Sequence, residues 1–459
     1  MDDNFRDSGN GNSREGTSKE GQLVQLDVAK LQMGMYIVKL DRPWLETPFL
    51  MQGFELSNKN QRETLEKYCQ YVYIRSQPTA LKEQPWTALG VQTAPSISST
   101  DRGNLIKQAG PGARAPQKKN IIRSGASHEI SVSVREEHLV AGPAFHEAKL
   151  ALEKVFHSAK FGQELNVDAA EEAVSSCVAS MLRNPDAMIW MSRVKHEKEY
   201  TVEHCLNVCV LAIAFGRYLN FDSAELRMLG LCGFLHDVGK MRTPKLILNK
   251  HNNLTDEEFL VVKQHTIDGH KLLKEEGSVH ARPAEVVLNH HERPDGKGYP
   301  RGLKGGKISE YARIIAIVDA YDAMTSERCY AEALSSVDAL KEIYENRGRQ
   351  FDEDYALAFM QAIGPYPPGT LVELRNGMVG IVLSGPLKFR HLPTIVILRD
   401  EKKQVIEEKT ADLFLTDSGQ LDKGFLIRSP LRDGEFGIKL EDYTVKPAAD
   451  PVSLTKGAS

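Results

Sequence analysis

No stretch of this 459-residue chain approaches the roughly 18 consecutive apolar residues that a membrane-crossing helix needs. Its first residues, MDDNFRDSGNGNSREG, lack the basic-then-apolar order of a secretory leader. The expectation is a soluble, cytoplasmic protein with no membrane insertion. An excess of one charge is missing too, since 58 Lys and Arg face 62 Asp and Glu for a net charge of −4. Without a basic excess, a broad surface for polymeric nucleic acid is disfavoured, whereas a small anionic substrate is not. Cysteine is scarce: six residues, at 69, 177, 205, 209, 232 and 329, show no C-x-x-C spacing and fit reduced thiols. Cys205 and Cys209, one helical turn apart, read as small packing residues.

At about 150 residues per domain, the length predicts two or three domains. Residues 1–21 are Gly, Ser, Asn and charge without periodicity, and read as a disordered tail. Residues 22–75 alternate in strand fashion (VQLDV, MYIVKLD), turn at Arg42-Pro43-Trp44, offer a helix over 60–69 and return to a strand at Tyr71–Ile74, which makes a small α+β accessory module. Residues 76–142, rich in Pro, Gly, Ser, Gln and basic residues, read as a mostly disordered linker ending in a short extended piece at 130–132. From 143 to 365 helical spacing takes over, with helices expected at 145–161, 167–182, 201–219, 223–235, 255–275, 283–291, 309–325, 336–346 and 353–363. Thr255-Asp256-Glu257-Glu258 has the form of a capping box. Residues 366–446 return to short strands and turns, and 447–459 are a tail. The fold class is therefore multidomain and mainly α: an all-α helical core between a small α+β module and a small β-rich one.

Inside that helical pattern lies a polar run that plain core does not explain: His236-Asp237-Val238-Gly239-Lys240, then His265, His290-His291-Glu292 and Gly298-Tyr299-Pro300. Imidazole with carboxylate suits first-row divalent metals. An adjacent His-Asp pair lets the carboxylate bridge two ions while the imidazole binds one, and on a helix Lys240 would share their face. Paired ions are the usual arrangement for phosphate-ester hydrolysis, because one activates water and both neutralise phosphoryl oxygens. Taken singly, His204, His265 and Asp319 each sit in apolar helical stretches where a satisfied core residue is the commoner outcome. Their joint occurrence on several helices favours a shared site.

His236-Asp237 with Gly239-Lys240, His290-His291-Glu292, Asp295-Gly296-x-Gly298-Tyr299-Pro300 and Asp319-x-x-Asp322-Ala323 closely resemble the HD-GYP branch of the HD phosphohydrolase superfamily over residues 195–365. Residues 22–75, with Gly34-Met35-Tyr36 and Arg42-Pro43-Trp44, resemble a domain of unknown function found ahead of bacterial HD-GYP domains. The resemblance implies an HD-type helical fold and a metal-dependent phosphodiesterase that opens cyclic di-GMP to linear pGpG, and in some members onward to GMP, through a hydroxide shared by two metal ions. Carried over by motif, His204, His236, Asp237 and Asp319 would surround one ion, and Asp237 would bridge to a second held by His265, His290 and His291. Lys240 would stand beside the hydroxide, Arg328 would reach a substrate phosphate, and the Gly298-Tyr299-Pro300 loop would contact substrate or partner cyclases.

Two departures from the family pattern bear on this reading. Tyr200 stands where members with a third metal carry Glu, which points to two ions, Fe or Mn. Ala331 stands where a cation is common, which removes one phosphate contact. A weakly active or inactive signalling adaptor that binds GGDEF-type diguanylate cyclases or other regulatory proteins is the alternative reading, and a different nucleotide or a cyclic GMP-AMP dinucleotide is a third. The oligomeric state stays open, a homodimer included.

Overall fold

In the computed structural model, the residues described are 23–41, 54–56, 59–75, 121–124, 128–194, 200–248, 250, 254–275, 280–326, 333–386, 389–443 and 445. The chain divides into two compact units, residues 1–117 and 118–459. In the first unit, β1 (Leu23–Asp27), β2 (Tyr36–Leu40), β3 (Phe54–Glu55) and β4 (Tyr71–Arg75) form an antiparallel sheet in the order β1-β4-β2-β3. Alternation in the sequence sends Ile37, Val72 and Ile74 inward, where they pack with Leu65 of α1 (Lys59–Tyr68). This is the α+β module that the alternation predicts.

The second unit opens with α2 (Val134–Phe161), and here the structure corrects the linker boundary. Ser133 and Glu136 close a capping box, with each side chain bonding the other residue's backbone N–H, so the helix starts at Val134 and not after Pro143. Pro143 lies within the helix, although its missing N–H and fixed ring make it read as a start signal. The piece at 130–132 belongs to no helix or strand and is tied to the helical body: the Ser131 amide donates to the Arg183 carbonyl, and Asn184 Nδ2 donates to the Val132 carbonyl. Residues 76–120 lie outside the described set.

The helical body continues through α3 (Val167–Arg183), the short α4 (Pro185–Met191), α5 (Tyr200–Tyr218) and α6 (Ser223–Leu235). From Cys205 to Ile213 every α5 residue is buried, because α5 is apolar nearly all round and sits at the centre of the bundle. His204, Asn207 and Arg217 are the polar residues buried on α5. After α6 come a 3-10 turn (Val238–Arg242), α7 (Lys245–Leu248), α8 (Asp256–Lys263), α9 (His265–Glu275), α10 (Ala281–Asn289), α11 (Glu310–Thr325), α12 (Ser336–Glu345) and α13 (Glu353–Ile363).

Two further expectations are corrected in this stretch. Residues 255–275 form two helices broken at Gln264, not one. The α-helix carrying the HD pair ends at Leu235, and Asp237 leaves it at φ −107°, ψ 13°, so Lys240 stands on a 3-10 turn. A 3-10 turn repeats every three residues, which brings Lys240 back over Asp237. The chain ends in an antiparallel sheet of β5 (Leu371–Leu374), β6 (Val379–Ser384), β7 (Thr394–Arg399), β8 (Val405–Asp412) and β9 (Ile427–Pro430), in the order β8-β7-β6-β5-β9.

Candidate metal centre

Five segments converge: α5 supplies His204, the end of α6 His236 and Asp237, the start of α9 His265, the end of α10 His290 and His291, and α11 Asp319. Their ligand atoms fall into two sets, each within 4.8 Å: Asp237, His265, His290 and His291 in one, His204, His236 and Asp319 in the other. Asp237 spans them. Its Oδ1 lies 3.2 Å from His265 Nε2, and its Oδ2 lies 3.3 Å from His236 Nε2 and 3.8 Å from His204 Nε2. His204 Nε2 is also 3.0 Å from Asp319 Oδ1.

The other ring nitrogens explain why the Nε2 atoms face inward. His236 Nδ1 donates to the Gly233 carbonyl at 2.8 Å, His265 Nδ1 to Val262 at 2.6 Å and His290 Nδ1 to Val287 at 2.9 Å. A carbonyl only accepts, so the proton sits on Nδ1 and the Nε2 lone pair is left for the cluster. His204 does the same with a carboxylate, donating Nδ1–H to Asp322 Oδ2 at 2.8 Å. Asp322 also accepts from Asn207 Nδ2 at 3.2 Å. Its role follows from helical spacing after Asp319, but the motif alone does not tell an orienting carboxylate from a ligand.

Charge in the cluster is mutually supporting. Burial opposes ionisation of Asp237, but Lys240 and His236 outweigh it and hold the carboxyl well below its ordinary pKa. Burial likewise opposes Asp319, and the His204 hydrogen bond and charge keep it low. Burial pushes His290 well below the imidazole range and His291 down to about 3, so both are neutral bases. His236 differs: burial lowers its pKa, but Asp237 and Cys205 outweigh burial and raise it well above the imidazole range, so a metal taken up there would displace its proton, whereas His290, His291 and the two carboxylates already have the protonation states a divalent metal requires. Among the described residues His236 Nε2 and Asp237 Oδ1 are buried without a hydrogen-bond partner, as expected of atoms reserved for a cation. The donor set therefore fits two divalent ions. Cys205 is an addition that sequence reading treats as packing alone: its Sγ shares a 4.8 Å group with His236 and Asp237, and burial raises its thiol pKa.

Two glycines let the segments close. A methyl on Gly239 would strike the carbonyl oxygen of His265 and the amide of Gly269, so the 3-10 turn reaches α9 only without a side chain. A methyl on Gly298 would strike the Arg293 amide and the His291 carbonyl. That contact seats Tyr299, after which comes a cis Tyr299–Pro300 bond, with its ring centroid 4.8 Å from that of His291. Glu292 locks the same loop, its two oxygens accepting from the backbone N–H groups of Arg301 at 2.7 Å and Leu303 at 2.8 Å. Lys240 pairs with Asp237 and keeps 22% of its side chain in solvent, at the open side of the cluster. Arg328 and Ala331 lie outside the described residues, as does the side chain of Tyr200.

Residues 186–355 match the HD domain family and residues 23–170 a domain of unknown function, DUF3391. A cyclic di-GMP phosphodiesterase of Pseudomonas aeruginosa is 33% identical over 403 residues, covering 87% of this chain and 91% of that protein. The cyclic di-GMP phosphodiesterase response regulator RpfG of Xanthomonas campestris is 41% identical over 135 residues, 29% of this chain and 36% of its own. A 3'3'-cGAMP-specific phosphodiesterase of Vibrio cholerae is 36% identical over 151 residues, 32% of this chain and 34% of its own. With two sets of inward-facing imidazoles sharing one aspartate, and a relative similar over nearly its whole length, the chain belongs to the HD-GYP family of HD-domain proteins.

Proposed function

We infer that this protein is a metal-dependent phosphodiesterase that hydrolyses cyclic di-GMP, with linear pGpG as first product and GMP as a further one. The observation that carries this reading is the pair of ligand sets meeting at Asp237, on a chain whose near-full-length relative acts on cyclic di-GMP. His204, His236, Asp237 and Asp319 would hold one ion, and Asp237, His265, His290 and His291 the other. Such a pair supplies activated water and positive charge on the phosphoryl oxygens. Nitrogen-rich ligation with carboxylates suits Fe or Mn.

The remaining work falls to this chain's own groups. Lys240, charged and beside Asp237, holds the anionic phosphodiester over the cluster. Burial works against its charge, but Asp237 and Asp319 outweigh it and raise its pKa. Tyr299 covers His291 and limits access on that side, and Arg328 is the proposed second phosphate contact. Partner cyclases at the Gly298-Tyr299-Pro300 loop, and a homodimer, belong to the same proposal. The Vibrio relative favours a mixed cyclic GMP-AMP dinucleotide as second reading.

The test is turnover by anaerobically purified, metal-loaded protein on a panel of cyclic dinucleotides. Cyclic di-GMP should be opened, and Asp237→Ala should lose both bound metal and turnover. An Asp237→Ala protein that keeps full turnover would sink the assignment.

A further inference from the structure

Beside the metal cluster, α8 buries none of its residues, yet it is firmly held at its start. Thr255 and Glu258 form its capping box, and Lys250 Nζ pairs with Glu258 at 2.6 Å. A helix so anchored and so little packed leaves two side chains facing the loop that carries Tyr299. Phe259 is 42% exposed, and its ring meets that of Tyr299 edge-on at 6.2 Å between centroids. Lys263 places its Nζ 4.3 Å from the Phe259 centroid and 5.4 Å from that of Tyr299. Among the described residues this ammonium faces two aromatic rings and has no carboxylate partner. Cation–π contact fixes its position without satisfying its N–H donors.

We propose that Phe259 and Lys263 form a purine-base subsite that selects guanine, resting on the phosphodiesterase reading above. The phosphodiester is taken by the metal cluster and Lys240, so the attached base must extend away from them. Past Tyr299, whose ring lies against His291, the next groups are Phe259 and Lys263. An exposed aromatic ring supports any base by stacking. Selectivity comes from Lys263, because the ammonium only donates. Guanine presents two acceptors, N7 and O6, along one edge, whereas adenine sets an amino donor beside its N7. An adenine in this position would turn a donor toward the Lys263 donors.

The experiment compares kcat/KM for cyclic di-GMP and cyclic di-AMP in the full-length, metal-loaded protein and in Lys263→Met and Lys263→Arg. In the parent, bis(p-nitrophenyl) phosphate, which has no purine, reports the metal chemistry separately. The expected result is a fall of about tenfold in the guanine-over-adenine ratio for Lys263→Met, mainly through the KM for cyclic di-GMP, with the preference restored in Lys263→Arg, whose donors also match N7 and O6. A parent that hydrolyses neither cyclic di-GMP nor the purine-free ester overturns the phosphodiesterase reading, and this subsite with it. A parent that opens cyclic di-GMP while Lys263→Met keeps its ratio, or loses both substrates in proportion, overturns the subsite alone.

Discussion

Each converging imidazole is useful only because its outer nitrogen is already committed, and for His204 that commitment is to Asp322 at 2.8 Å. Asp322→Asn can turn an amide donor toward Nδ1, which frees the ring to change tautomer and rotate. Loss of such an orienting partner typically costs about 10- to 100-fold in metal affinity. Metal content after dialysis against a graded chelator should fall accordingly while the thermal midpoint of the metal-free protein shifts little; parent-like retention would show that Asp322 orients nothing. A second residue ties stability to pH away from the site. His138 is buried against Trp190 with ring centroids 5.3 Å apart, and burial pulls its pKa from 6.5 down to about 4. Between those values the unfolded chain binds the proton and the folded chain does not, so stability is complete above about pH 6.5 and is lost as pH falls toward 4. At roughly 1.4 kcal/mol per unit, this amounts to at most about 3.5 kcal/mol. Thermal midpoints measured from pH 7 to 5 should therefore decline less steeply in His138→Phe than in the parent, and equal slopes would refute the assignment.

At the scale of elements, the most consequential clamp is Glu292, which holds the Tyr299 loop through two backbone N–H donors. Glu292→Gln keeps one acceptor but turns an amide donor toward the other N–H. Charge-assisted bonds of this kind contribute about 1.5–3 kcal/mol each. The loop should loosen, so KM for cyclic di-GMP should rise several-fold while bound metal stays at the parent level; joint loss of metal and activity would instead place Glu292 within the ligand set. That role was open in the sequence, where His290-His291-Glu292 reads as a motif without saying which member binds and which supports. Helix positions were more legible, because α5, α6 and α13 carry apolar residues at three- and four-residue spacing and their ends fall within a residue or so of expectation. The misses have physical causes. Pro143 masked a helix whose true start signal, Ser133 with Glu136, lay upstream, and the turn after Leu235 changed period inside the HD motif, where spacing alone cannot tell an α-helix from a 3-10 turn. Ligand types were legible singly, and their grouping needed the family pattern.

Within the second unit, the helical body and the C-terminal sheet are joined by a buried charge pair, and this decides whether the sheet is an independent module or part of one folding unit. Asp186, near the start of α4, accepts from Arg390 Nη1 at 2.9 Å and from the Gly385 amide at 3.1 Å, and both charged residues are buried. A buried pair adds little net stability over apolar residues of the same shape, but removing one partner strands the other charge and costs about 3–5 kcal/mol. Arg390→Met should therefore lower the stability of the sheet by an amount of that order, whereas Asp186→Asn combined with Arg390→Met should recover much of it because the Asp186 carboxylate is no longer stranded. Native-state hydrogen exchange separates local from global effects. In the parent, amides of β6 and β7 should open with the same free energy as those of α5; in Arg390→Met the strand amides should open first while α5 keeps its protection. If the strands of the parent already exchange well before α5, the sheet folds by itself and the charge pair is only a surface between two independent bodies.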